Sequence, residues 1–218
     1  MLKLYEAPIS PYVQKVKMVL FEKRLEFETE TLDLLAQEQH TPEYLKLNPF
    51  HRVPLLRDGS AVLFESTAIG EYLEEKYPSP PLLPHDVVLR AEARAWEDVS
   101  DTYFGAVLGA LIQQNFRNPA GPDPAVVAQQ QAQAGEYLTA LDAKLEGRDF
   151  VAALFSLADI ALSIQVSFLA QIGVDLASYQ NVGRWLSTIQ NRASFEKARP
   201  SADVINEFIA RTQAERGK

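Results

Sequence analysis

Two serines stand at helix starts, where an anion can be held. Ser10 precedes Pro11, a capping residue followed by proline at the first helical position, and the turns beyond carry Val13, Val16 and Leu20 on one face. Ser66 follows Glu65 and opens a run whose apolar residues Ala68, Ile69 and Leu73, with the half-apolar Tyr72, share one helical side. A helix start carries unpaired backbone N–H groups and the positive end of the dipole, so a negative group placed there is stabilised. A serine hydroxyl adds a further donor. The plain alternative for both residues is helix capping. A third serine, Ser156, reads as one half of a capping box, with Asp159 three residues on reaching back to its N–H. The helix that follows is apolar all round (Ile160, Ala161, Leu162, Ile164, Val166, Phe168, Leu169), which describes a central buried helix.

Other chemistries are excluded by what the 218 residues lack. There is no cysteine, so no disulfide, no thiolate zinc site and no thiol redox motif, and any sulfur chemistry must use a ligand's sulfur. His40, His51 and His85 are scattered without metal-ligand spacing, and no metal is expected. Net charge is −8 with no Lys/Arg cluster, which argues against nucleic acid or an anionic membrane as partner. The longest apolar run, Phe150 to Phe155, is far too short to span a bilayer. The opening MLKLYEAP enters a strand pattern at once and has no signal-peptide architecture, so a cytoplasmic location is expected.

The elements that position these residues read in order. Lys3–Tyr5 is a strand, followed by the helix at Ser10, an edge strand over 26–30 with Phe27 and Thr29 on one side, and a short helical piece from Thr41-Pro42 to Asn48-Pro49. Val53-Pro54-Leu55-Leu56 and Ala61–Phe64 are two strands around an Asp58-Gly59 hairpin turn, and the helix at Ser66 closes the set. Strands joined through a helix are parallel and hairpin strands antiparallel, which predicts a mixed sheet. Residues 78–85, with four prolines in the stretch Pro78–Pro84, are a linker. Beyond it no strand pattern appears. Long helices are predicted over 86–114, with Ala95, Val99, Leu108 and Leu111 inward, and over 125–145, then the buried helix, then helices over 179–191 and 201–212.

Three separated motifs carry a resemblance. Ser-Pro opening the first helix, Val53-Pro54 with Glu65-Ser66, and Ser156-Leu157-Ala158-Asp159 resemble cytosolic glutathione transferases of the serine type over nearly the full chain. The resemblance implies a thioredoxin-like glutathione-binding domain over 1–77 with a mixed four-stranded sheet, the linker at 78–85, and an all-α domain over 86–218. It implies a cis Val53–Pro54 bond, with the N–H and C=O of Val53 pairing the cysteinyl part of glutathione as an added strand. Ser66 would receive the glutamyl carboxylate, and Glu65 would face the ammonium group. Arg52 and His40 would take the glycyl carboxylate, with His51 standing where the family often has a small residue.

The implied reaction is attack of the glutathione thiolate on a hydrophobic electrophile, a detoxifying conjugation with glutathione as co-substrate. Ser10 is the candidate activator, Tyr5 its rival and Tyr12 a third candidate better suited to lining the pocket. Ile9 and Tyr12, with Tyr103, Phe104, Val107, Leu108 and Leu111 of the first long helix, would contact the electrophile. A homodimer is implied, with Glu97, Asp98 and Asp101 suited to its polar interface. Because fold does not imply function, a non-catalytic binding or scaffold protein on the same fold remains open, as does a glutathione-dependent isomerase or peroxidase.

Overall fold

The computed structural model describes residues 1–216. Two compact units are present, Met1–Pro81 with Ser194–Ile205, and Leu82–Ala193 with the segment from Asn206. The sequence assigns Ser194–Ile205 to the helical domain, whereas it clusters with the first unit: the Ser194 hydroxyl bonds the Glu22 carboxylate.

The first unit runs β1 (Leu2–Glu6), α1 (Pro11–Glu22), β2 (Phe27–Thr31), α2 (Pro42–Leu45), β3 (Leu55–Asp58), β4 (Ala61–Phe64) and α3 (Ser66–Lys76). The sheet order is β2-β1-β3-β4, with β1 and β2 parallel and both other pairings antiparallel, so the expected mixed sheet is present. Val13, Val16 and Leu20 of α1 are buried as their spacing predicts. Lys15 and Lys23, which lie off that face, are buried too. Each is satisfied: Lys15 Nζ donates to Thr67 Oγ1 at 2.7 Å, and Lys23 Nζ pairs with Glu74 and donates to the Pro80 carbonyl at 2.6 Å. The hairpin turn falls one residue later than predicted, on Gly59-Ser60. Asp58 pairs with Ala61 as the last strand residue, and Gly59 takes φ +59°, where it has no Cβ to clash. Asp58 instead anchors α3 to the turn: its carboxylate accepts from the Tyr72 hydroxyl at 2.9 Å and pairs with Lys76. Ala68, placed on the apolar side of α3 by spacing, is exposed, and Ile69, Gly70 and Leu73 are the buried residues there.

The second unit contains α4 (Val87–Val99), α5 (Gly105–Ile112), α6 (Pro124–Lys144), α7 (Leu157–Gln171), α8 (Gln180–Gln190) and most of α10 (Ala202–Arg216). The short α9 (Ala193–Ala198), absent from the sequence expectation, begins at the boundary between units. The single helix expected over 86–114 is interrupted by π-helical turns at Ser100–Phe104 and Gln113–Arg117. A wide turn inserts an extra residue and rotates everything after it. Ala95, placed inward by the sequence, lies ahead of the first such turn and is exposed, while Ala93 and Glu97 are buried. The α7 helix is central as predicted, with α4, α5 and α8 packed on it. Among the described residues no helix is long and apolar enough to cross a membrane.

Asp159 does more than close the capping box. Its Oδ2 accepts from the Ser156 N–H at 3.0 Å and the Ser156 hydroxyl at 2.9 Å, and its Oδ1 accepts from the Val151 N–H and Trp185 Nε1, both at 2.9 Å. All four residues are fully buried. Burial pushes the Asp159 carboxyl above its ordinary range, and the four donors pull the other way.

Candidate glutathione site

Register brings the expected residues to one end of the sheet. Tyr5 of β1 pairs with Leu55 of β3, and Leu55 pairs with Phe64 of β4. Ser10 lies five residues past Tyr5, Val53 two before Leu55 and Ser66 two past Phe64. All three therefore sit beyond the same edge of the ladder. Beneath them Tyr5, Tyr44 and Leu55 form a buried apolar floor, with Leu32, Leu47, Val53 and Val62 packed around it.

Ser10 is 8% exposed and caps α1 in an extended conformation. Its turn is held on both sides: its N–H donates to the Ala7 carbonyl at 2.9 Å, and Gln14 Nε2 donates to the Pro8 carbonyl at 3.1 Å. The Ser10 Oγ accepts from the Val13 N–H at 3.4 Å, a long bond that uses one lone pair. Capping and anion donation are thus compatible, because accepting from an N–H leaves the hydroxyl proton for another acceptor. Tyr5 is a core aromatic. It is buried, tilts against the Tyr44 ring at 6.0 Å and lies under Lys3 Nζ at 5.3 Å. Ile9 and Tyr12, the neighbours of Ser10 along the chain, are half-buried.

Ser66 is the first residue of α3, and the capping position belongs to Glu65. This removes helix capping as the role of Ser66. The helix's first backbone bond runs from the Ile69 N–H to the Glu65 carbonyl, and the N–H groups ahead of it form the helix start. Glu65 is exposed and holds φ +68° and ψ 118°, a conformation that a non-glycine residue adopts at a cost of about 1–3 kcal/mol and mostly at functional sites.

The Val53–Pro54 bond is cis, as expected, and so is Ser79–Pro80, which the sequence did not signal. The register of β3 ends at Leu55, so the main-chain groups of Val53 lie outside the sheet ladder. Arg52, His40 and His51 are all exposed, and the two imidazoles stack with centroids 4.5 Å apart. Sequence reasoning passed over Gln14, Tyr44 and Asn48, which hold the site's loops. The sequence marks Asn48 only as the end of a short helical piece, although an Asn before a proline in a short loop is itself a sign of a side chain bonding local backbone.

In the helical unit Tyr103 is 47% exposed and meets Tyr137 edge-on at 5.4 Å, while Phe104, Val107, Leu108 and Leu111 are buried. Glu97 is fully buried, which does not suit the interface role expected of it; Asp98 is exposed and Asp101 partly so.

The family described as the glutathione S-transferase N-terminal domain matches residues 4–81, and that described as its C-terminal domain matches residues 101–193. The chain belongs to the cytosolic glutathione transferase family. It is 35% identical to glutathione S-transferase 3 of Zea mays over 205 residues, spanning 90% of this chain and 92% of that one. It is 33% identical to glutathione S-transferase F10 of Arabidopsis thaliana, spanning 88% and 93%. Among solved structures, poplar glutathione transferase F1 superposes with a TM-score of 0.84 at 31% identity, covering 90% of this chain and 95% of that one. A glutathione transferase from Pseudomonas putida, solved with glutathione disulfide bound, gives 0.83 at 26% identity with 90% of each chain covered. Membership makes this glutathione transferase an enzyme of thiol conjugation, and the mixed sheet followed by a helical unit is the fold its relatives share.

Proposed function

We propose that Ser10 activates the thiol of glutathione for attack on hydrophobic electrophiles. The observation that carries this reading is the Tyr5–Leu55–Phe64 register, which gathers a hydroxyl, an unladdered backbone segment and a helix start at one sheet end. Glutathione offers three groups to match: a glutamyl carboxylate for the N-terminus of α3 and Ser66, a cysteinyl amide for Val53, and a glycyl carboxylate for Arg52. The Arg52 fork holds a carboxylate through two bonds, and His40 stands ready as a second contact. The exposed Glu65 pairs with the glutamyl ammonium. The glutathione disulfide held by the Pseudomonas putida neighbour supports this choice of ligand. Ile9 and Tyr12, half-buried beside Ser10, offer the electrophile apolar surface. Detoxification of such electrophiles in the cytoplasm, where glutathione is abundant, accompanies this reading.

Retention on immobilised glutathione, together with turnover of a chromogenic electrophile, tests the proposal. Retention without turnover of any electrophile would instead favour a binding protein. Ser66→Ala should weaken glutathione binding by about 1–2 kcal/mol, the lower end of what a hydrogen bond to a charged group contributes. Because Glu65 is the cap, that substitution should leave the melting temperature unchanged. Calorimetric titration checks both statements, and unchanged affinity would displace the glutamyl carboxylate from α3.

The functional unit is a homodimer in this account. Phe50 is 57% exposed and rests on Phe64 at 5.6 Å. The helical unit carries an apolar cavity of about 200 Å³ lined by Trp96, Val99, Tyr103, Tyr137 and Ala140. Both are apolar surface that association would cover. Sedimentation should give a species of twice the 24.4 kDa chain mass; a 24.4 kDa species alone would contradict the dimer.

A further inference from the structure

The loop ahead of Val53 is built around one carbonyl. The Arg52 C=O accepts from the Tyr44 hydroxyl at 2.6 Å and from Asn48 Nδ2 at 2.9 Å, which occupies both of its lone pairs. Asn48 is 1% exposed and Tyr44 3%. Asn48 also accepts the Phe50 N–H on its Oδ1 at 3.0 Å, and its own carbonyl accepts the His51 N–H at 3.1 Å. Reversing the Asn48 amide would lose both side-chain bonds, so its orientation is fixed. Burial pushes the Tyr44 phenol well above its ordinary range, which keeps it a donor at any working pH.

The Arg52–Val53 peptide is trans, since the cis bonds among the described residues are those before Pro54 and Pro80. In a trans peptide the carbonyl oxygen and the amide hydrogen point in opposite directions within one plane. Clamping the Arg52 carbonyl toward Tyr44 and Asn48 therefore aims the Val53 N–H the other way. We propose that Tyr44 and Asn48 are positioning residues that act through this peptide, holding the Val53 N–H in line for the cysteinyl carbonyl of glutathione. The inference rests on the reading above that Val53 pairs with the cysteinyl part. Neither side chain touches the ligand in this account.

The test uses the full chain, two variants and two ligands: glutathione, and an analogue in which the cysteinyl carbonyl is reduced to a methylene. Tyr44→Phe removes one donor and nothing else. Asn48→Asp keeps the acceptor for Phe50 but turns the second donor into an acceptor. Wild type should bind the analogue at least fivefold more weakly than glutathione, the factor that about one net hydrogen bond carries. Tyr44→Phe should lose about fivefold in glutathione affinity and in KM for glutathione, with kcat and the electrophile's KM unchanged. Asn48→Asp should lose about tenfold. In both variants the gap between glutathione and the analogue should shrink. A wild type that does not distinguish the two ligands overturns the Val53 pairing, and the inference with it. A wild type that does distinguish them, with variants that keep the full gap, overturns the positioning role alone. If Tyr44→Phe fails to fold, Asn48→Asp carries the same comparison.

Discussion

Asp159→Ala should lower the unfolding free energy by about 4 kcal/mol, the largest stability loss expected of any single substitution outside the apolar core. The substitution removes one acceptor group and strands three buried donors: the Val151 N–H, the Ser156 N–H and Trp185 Nε1. Each buried orphan costs about 1–3 kcal/mol, and only the Ser156 hydroxyl can rotate to a new partner. The affected helix, α7, lies at the centre of the helical unit, so the loss should appear as a single cooperative shift of the denaturation midpoint. Asp159→Asn retains one acceptor oxygen and should cost about half as much. The pH dependence has a definite sign. The folded carboxyl lies above its unfolded value because burial dominates, so this contribution is complete below about pH 4, where an unfolded aspartate titrates. It declines as pH rises through the folded value. The gap between wild type and Asp159→Asn should therefore narrow from pH 4 upward in urea titrations. A gap that widens would mean that the four donors outweigh burial.

Ser10→Ala should reduce turnover at neutral pH by about tenfold or more, with most of the loss in kcat. A free thiol titrates near 8.5, and the thiolate is the nucleophile. A hydroxyl donating to the thiolate stabilises it by roughly 1.5–3 kcal/mol, equivalent to one to two pH units. The geometry permits this, because the long Val13 contact takes an Oγ lone pair and leaves the proton for the sulfur. The Ala7 and Gln14 bonds hold the turn without help from the Ser10 side chain, so the variant should keep its fold, with about 1 kcal/mol lost from the cap. Tyr5→Phe should leave the rate near wild type, because that ring is part of the floor shared with Tyr44 and Leu55. Activity profiles against pH for the two variants separate these outcomes: the Ser10→Ala profile should move to higher pH, and the Tyr5→Phe profile should stay in place.

Local signals made most of the fold legible. Ser10-Pro11, Thr41-Pro42 and Ser156 with Asp159 start their helices where the sequence places them, because capping is decided by residues within one turn. Alternation and the Asp58-Gly59 signal marked the strands, and chain connectivity made the sheet mixed, whereas the strand order β2-β1-β3-β4 was not legible. Features decided by distant partners stayed hidden. Lys23 is a lysine by type and a core residue by position, because Glu74 and the Pro80 carbonyl satisfy it. The π turn at Ser100–Phe104 interrupts the single helix expected over 86–114. At the site, spacing found the serines and Val53, whose roles depend on helix starts and a proline. It missed Tyr44 and Asn48, since nothing local reveals that two side chains four residues apart meet at one carbonyl.

The absorbance of the glutathione thiolate, titrated against pH while bound to wild type, Ser10→Ala and Tyr5→Phe, tests the central claim without reference to any electrophile. The account predicts a bound-thiol pKa raised by about one to two units in Ser10→Ala and unchanged in Tyr5→Phe. A wild-type value in Ser10→Ala, with a raised value in Tyr5→Phe, would contradict it.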